Sequence, residues 1–308
     1  MKGGRVWIGA PWVWESGRWR KERWLLLERG KILKIASPGT FQAPRAGTSG
    51  ADHFWFKKGA LLPALVNAHA HLELGALCNK LPAGLPMPLW ASALKREVAL
   101  WGEEAGAIRA AAVREGAQSL LADGVGTLLD IGNSDASSSA NRAGELGGLR
   151  LLFRQELIGW KGASKQLSDR KKELHKRAGK WDLDRAQPDV DGLSVHAPHS
   201  THPNLIAAVA QDEALHRKLF TIHLAEGVEE GEFLTTGGGL WKEWFQQERI
   251  PTKIGGPWRD GWELLSKKIP HGPRTLLIHG NLLGERSLRE IALNNVSIVH
   301  CPLSHHFF

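Results

Sequence analysis

Histidines stand at or near the ends of four short apolar runs in this 308-residue chain: LLPALVNAHAH (61–71), GLSVHAPHS (192–200), LFTIHLAE (219–226) and TLLIHGNLL (275–283). His69 and His71 are two residues apart, so a strand directs both side chains to one face. His223 ends a different run. Neutral imidazole nitrogen is the commonest ligand of a catalytic zinc, and three protein ligands leave a position for water. His69, His71 and His223 are therefore the expected metal ligands. With 14 histidines in the chain, an isolated H-x-H arises easily by chance, and it is the third histidine that gives the pair weight.

Glu226 follows His223 by three residues in HLAE. A regular strand would aim it at the opposite face, so it reaches the site only if the strand ends near Leu224 and the loop turns it back. A carboxyl placed there could serve as general acid or base. The alternative is a rim carboxylate opening a helix, which is the role expected of Glu229, Glu230 and Glu232 at the positive end of the helix dipole. His279 could hold or polarise the attacking water, with a buried structural histidine as the alternative. His196 and His199 are three apart and cannot both face inward from a regular strand. His196 is expected to touch substrate and His199 to form wall. His300 and Cys301, in VHCPLS, lack partners at zinc-finger spacing and are read as packing. No lysine lies between Lys180 and Lys218, so the fourth run offers no carbamylated bridge between two metals. One divalent ion is expected, zinc first and iron second.

These residues need elements that bring strand ends together. Seven apolar runs, Leu61–His71, Gly124–Gly132, Leu149–Leu157, Gly192–Ser200, Leu219–Glu226, Thr275–Leu283 and Val296–Ser304, read as strands. Helix-like stretches at Leu89–Ala122, Pro203–Arg217 and Glu285–Asn294 separate several of them, which predicts an α/β chain with a parallel sheet. A closed barrel of eight strands places all their C-terminal ends on one face and would need one strand more. The expectation is a chain that belongs to a longer protein, or a partner that supplies closure. Residues 1–60 differ: alternating segments Arg5–Ile8, Trp24–Leu27 and Lys31–Ile35, broken at Gly17, Gly30 and Gly39, suggest short antiparallel strands. A loop at Ser37–Gly50 leads to the barrel, residues 61–308.

Composition sets the outer limits. At 42% hydrophobic, the chain can bury one large core, and its two cysteines, Cys78 and Cys301, make no disulfide framework. No signal-peptide pattern opens it and no apolar run reaches the roughly 18 residues of a membrane span, so a cytoplasmic protein without membrane partners is expected. The net charge of +8 permits nucleic-acid binding, but the basic residues gather at Arg18–Lys34 and Lys161–Arg185. Within the second, KKELHKR (171–177) reads as a solvated helix face. Nucleic acid is not the expected partner. The 14 tryptophans, scattered from Trp7 to Trp262, are read mainly as core and rim packing.

Taken in order, VNAHAHLEL, VHAPHS, IHLAEGVEEGEFL, LIHGNLL and VHCPLSHHFF resemble the amidohydrolase superfamily over Leu61–Phe308. The branch most similar is that of the cytosine and guanine deaminases and chlorohydrolases, near the adenosine-type and aminodeoxyfutalosine deaminases. The resemblance implies a (β/α)8 TIM-type barrel with a small β-sandwich built from both termini, residues 1–60 being its first half. It assigns the metal to His69, His71 and His223, the acid/base role to Glu226, water orientation to His279 and a substrate contact to His196. It also implies a strand-eight aspartate, a substrate-facing loop at Asn79–Trp90 and frequent homodimers. Ala64 and Gly280 depart from residues frequent in the family. The activity implied is hydrolytic deamination of a purine- or pyrimidine-like small molecule by a metal-activated water. The alternatives are a chlorohydrolase or aminohydrolase acting on a triazine-like ring, or an inactive fragment without the aspartate.

Overall fold

The computed structural model of the chain describes residues 4–37, 39–40, 51–160, 165, 167–169, 172, 191–215, 217–252 and 258–307. It divides into two compact units, Met1–Leu65 and Val66–Phe308.

In the first unit, β1 (Arg5–Glu15), β2 (Arg18–Glu28) and β3 (Lys31–Ala36) form an antiparallel meander. Two-residue turns join them, Ser16 and Gly17 at φ 48° and 79°, and Arg29 and Gly30 at 47° and 74°. Such left-handed pairs match the twist of the flanking strands. The windows Arg5–Ile8 and Trp24–Leu27 understate these strands, because the tight turn carries the ladder from Arg5↔Glu28 to Glu15↔Arg18. The three segments read as antiparallel pair that way, and on the other side of β1, β4 (Ala51–Trp55) and β5 (Ala60–Leu61) run parallel to it. A parallel neighbour requires a crossover. Of the loop expected at 37–50, residues 38 and 41–50 lie outside the described residues. Trp12, Trp14 and Trp19 are exposed, so core packing does not account for these three. Trp14 and Trp19 instead pair edge-on across the β1–β2 ladder, their centroids 5.0 Å apart.

The second unit alternates strand and helix. Its strands are β6 (Leu65–Ala70), β7 (Val125–Gly132), β8 (Arg150–Leu157), β9 (Asp191–Val195), β10 (Phe220–Leu224), β11 (Thr275–His279) and β12 (Ser297–Val299). They join in the orders β6-β7-β8-β9 and β10-β11-β12, with parallel registers such as Thr127↔Arg150, Phe153↔Asp191, Phe220↔Thr275 and Leu276↔Ser297. Between β9 and β10 single bonds replace the ladder: His223 N donates to the His196 carbonyl at 2.8 Å, and Ser194 Oγ donates to the Thr221 carbonyl at 3.0 Å.

The helices are α1 (Met87–Ala99), α2 (Ala105–Ala122), α3 (Ala136–Ala143), α4 (Pro203–Leu215), α5 (Val228–Thr236), α6 (Gly239–Gln247), α7 (Gly261–Leu265), α8 (Glu285–Leu293) and α9 (Pro302–Phe307). The stretch Leu89–Ala122, read as one helical segment, is two helices, broken around Gly102 at φ 50°. The basic run 161–185, with its presumed helix face at 171–177, lies outside the described residues except at 165, 167–169 and 172. Leu193, Val195, Leu205, Ile206, Ile222, Leu224 and Leu277 form a fully buried core between strands and helices. Strands covered on both faces read as unbroken apolar runs, which is why the windows were visible. Among the described residues, no helix is long and apolar enough to cross a membrane.

Candidate metal centre and active site

The C-terminal ends of β6, β10 and β11 bring four imidazoles together. The His69 ring centroid lies 4.8 Å from that of His71, 5.0 Å from His223 and 5.6 Å from His279. The ligating atoms of His69, His71 and His223 all fall within 4.8 Å of one another. His71 Nε2 and His223 Nε2 face each other at 3.2 Å. His223 Nδ1 lies 2.9 Å from the His196 carbonyl, and His71 hydrogen-bonds the Ile131 carbonyl. Where the N–H of His223 is on Nδ1, facing that carbonyl, its Nε2 presents a bare lone pair.

Burial is the first cause that lowers the histidines. His69 is pushed down to about 2, with His71, His279 and His196 adding to the effect. His71 is lowered against the opposing pull of Glu156, and His223 is held well below its usual value by burial and then by His69. Neutral rings are what a cation requires. With both Nε2 atoms unprotonated, their lone pairs at 3.2 Å would repel unless a positive charge lay between them. Tetrahedral zinc, with bonds of about 2.0–2.1 Å, sets neighbouring nitrogens roughly 3.3 Å apart. The donor set fits such an ion.

β10 ends at Leu224, and Ala225 turns at φ 52°, so Glu226 comes back over the strand ends. Its Oε1 lies 3.2 Å from His279 Nε2. Glu230 holds the turn, accepting from Ala225 N at 3.0 Å and Glu226 N at 3.2 Å, while Asn281 Nδ2 donates to the Glu226 carbonyl at 3.2 Å. The reading of Glu230 as a rim carboxylate is corrected: it is 1% exposed, buried because two backbone N–H groups need its oxygens. Burial, then Glu230, then Glu156 push Glu226 up to about 8. A carboxyl so placed keeps its proton near neutral pH.

His279 sits at φ 77°, a left-handed conformation costly for a residue with a Cβ. Burial first, then His71 and His196, lower it to about 4. His196 follows β9, with its ring centroid 5.1 Å from that of His223 and Nδ1 2.5 Å from Ser200 Oγ. His199 is a wall residue, stacked on Trp241 at 4.4 Å. Of the segment Asn79–Trp90, the last four residues are the first turn of α1.

One group escaped the sequence reading. Glu156, at the end of β8, is 6% exposed and accepts from Asn133 Nδ2 at 2.7 Å. Its Oε1 lies 3.6 Å from His223 Nδ1, and it forms a possible ligand group with His196 and His223. The available signal was a carboxylate one residue before the end of its strand, the same position His69 occupies in β6. Cys301, read as packing, has its sulfur within 4.8 Å of donor atoms of His69 and His279. β12 pairs with β11, and the chain leaving β12 passes His279. Behind the site, Asp130 accepts from Leu72 N at 2.8 Å, and Glu73 accepts from Asn133 N at 2.6 Å and from Ser134 Oγ. These bonds tie the turn after His71 to the end of β7.

Comparison with known proteins places this geometry. The chain is 24% identical over 248 residues to the aminodeoxyfutalosine deaminase of a Nitratiruptor species, covering 79% of this chain and 57% of that protein. It therefore spans little more than half the length of that relative. Aminofutalosine deaminase of Helicobacter pylori, in complex with methylthio-coformycin, superposes with a TM-score of 0.82 at 19% identity, over 98% of this chain and 71% of that one. Atrazine chlorohydrolase of Arthrobacter aurescens, complexed with zinc, gives 0.71 at 16%, over 98% and 67%. At such identities the likeness establishes the fold, an α/β TIM-type barrel. Residues 60–307 match the Amidohydrolase family, and the chain belongs to it.

Proposed function

We propose that the protein is a metal-dependent hydrolase that deaminates a purine- or pyrimidine-like small molecule. The observation that carries this reading is the meeting of three imidazoles, His69, His71 and His223, with an acid, Glu226, 3.2 Å from a fourth, His279. His69, His71 and His223 would hold one divalent ion, zinc before iron. A bound zinc supplies a hydroxide-like nucleophile at neutral pH by acidifying water.

The chain's own groups do the rest. Glu226 donates its proton to a ring nitrogen as the adjacent carbon is attacked, and His279 orients the incoming water from the other side of the Glu226 contact. His196 meets the substrate ring, its orientation set by Ser200. The two protons given up by the attacking water restore Glu226 and convert the leaving amine to ammonia, which departs. The deaminases among the similar proteins support this chemistry. In this reading the seven strands of the second unit belong to a (β/α)8 barrel of residues 61–308, and residues 1–60 are half of a β-sandwich.

The likeness to atrazine chlorohydrolase favours a second reading, displacement of halide or amine from a triazine-like ring. A panel of aminopurines, aminopyrimidines, their nucleosides and chlorotriazines, scored for ammonia and halide, separates the two. His223→Ala should abolish zinc retention and turnover together. Full zinc content in that variant would remove His223 from the site.

A further inference from the structure

We propose that His69, His279 and Cys301 form a second cation position beside the first, selective for thiophilic ions such as cadmium. Their donor atoms lie within 4.8 Å of one another. The position is built by neighbouring strands: β11 ends in His279, β12 pairs with it through Ile278↔Val299, and Cys301 follows two residues later. His279 is 3% exposed, and its Nδ1 is buried without a hydrogen-bond partner. His69 Nδ1 is likewise buried and unpartnered. Among the described residues, the Cys301 sulfur has a 3.7 Å contact to the Val299 carbonyl and a backbone hydrogen bond from His279.

One sulfur and two imidazoles with no carboxylate select soft or borderline ions over magnesium or calcium. Binding breaks the S–H bond and forms a sulfur–metal bond, the proton going to solvent, with no change of oxidation state. An ion that bonds strongly to sulfur displaces the thiol proton most readily. His69 is shared with the first position. A thiophilic ion therefore competes for a ligand of the zinc site and occupies the ring that Glu226 contacts. That inhibitory consequence rests on the zinc reading above; the binding does not.

The test is titration of the metal-free protein with cadmium chloride, read by the ultraviolet charge-transfer absorption of a cadmium thiolate. Cys78 is exposed and is the other cysteine of the chain. Cys78→Ser should keep the band and Cys301→Ser should lose it. His279→Asn, a side chain that tolerates the positive φ, should keep the band but weaken binding by about tenfold or more. His223→Ala should leave the band intact, so failure of the zinc reading and failure of this one are separable. A band that follows Cys78, that is absent, or that is indifferent to His279→Asn overturns the proposal. Should Cys301→Ser fail to fold, the wild-type protein decides. Cadmium should slow alkylation of Cys301 at least tenfold more than that of Cys78, read by mass spectrometry, and equal slowing overturns it.

Discussion

Glu226 Oε1 lies 3.2 Å from His279 Nε2, joining the turn after β10 to the last residue of β11. Burial holds the acid up at about 8 and the imidazole down at about 4, so both are neutral near pH 7. In that protonation state the carboxylic acid would donate to the imidazole nitrogen. The backbones on both sides are left-handed, Ala225 at φ 52° and His279 at 77°.

Glu226→Gln should stabilise the metal-free protein on the alkaline side while removing turnover. A carboxyl whose folded pKa is raised contributes stability that is fully present below its ordinary value, 4.5, and is lost as pH rises through about 8. Gln has no proton to lose. At roughly 2–4 °C per kcal/mol, the variant should melt about 5 °C or more above the parent at alkaline pH, with the gap closing under acid conditions. Glu230, raised to about 7, titrates in the same window, so part of the parent's alkaline decline persists in the variant. Melting curves of both proteins across that pH range check this, and a constant gap would contradict it.

Glu156→Gln should weaken zinc binding by about 10–100-fold, the cost typical of groups that orient metal ligands. The carboxylate lies 3.6 Å from His223 Nδ1 and raises His71, and the amide keeps the size and the Asn133 contact while removing the charge. Competition with a chromophoric chelator measures the affinity. Unchanged affinity would leave Glu156 a packing residue.

The site was legible where a chemical group ends an apolar run. LFTIHL and TLLIH belong to strands buried on both faces, so His223 and His279 stand out at their ends and their convergence follows from parallel pairing. Glu156 was hidden because RLLFRQEL carries Arg154, Gln155 and Glu156 in succession, a pattern that suggests an exposed strand end. All three are buried, Arg154 donating to the Leu219 carbonyl at 3.0 Å and Gln155 to the Gly132 carbonyl at 3.1 Å. Glu230 looked like any acid opening a helix. Its role depends on two N–H groups exposed by the Ala225 turn, and no spacing rule announces that.

Gly280→Ala should cost about 1–3 kcal/mol. Gly280 has φ 70°, and an added Cβ would lie 3.0 Å from Ile298 Cγ2. Its N–H donates to the Leu224 carbonyl at 2.8 Å, so displacing it loosens β10 from β11 where His223 and His279 emerge. Urea unfolding measures the loss, and a variant as stable as the parent would show that the turn relaxes freely.

Glu230→Ala separates holding the acid from holding the metal. The substitution leaves Ala225 N and Glu226 N without their acceptor in a buried turn, at a cost of about 1–3 kcal/mol for each unsatisfied group. Freed from that anchor, Glu226 no longer keeps its 3.2 Å contact to His279, so kcat should fall by at least about tenfold with KM little changed. The Glu230 carboxylate lies 3.9 Å from His199 and belongs to none of the metal-ligand groups, so zinc content should stay at the parent value. Glu230→Gln keeps one carbonyl oxygen for the turn and should fall between the two in both stability and kcat. Loss of zinc in step with kcat would mean that the turn supports the ligands rather than the acid.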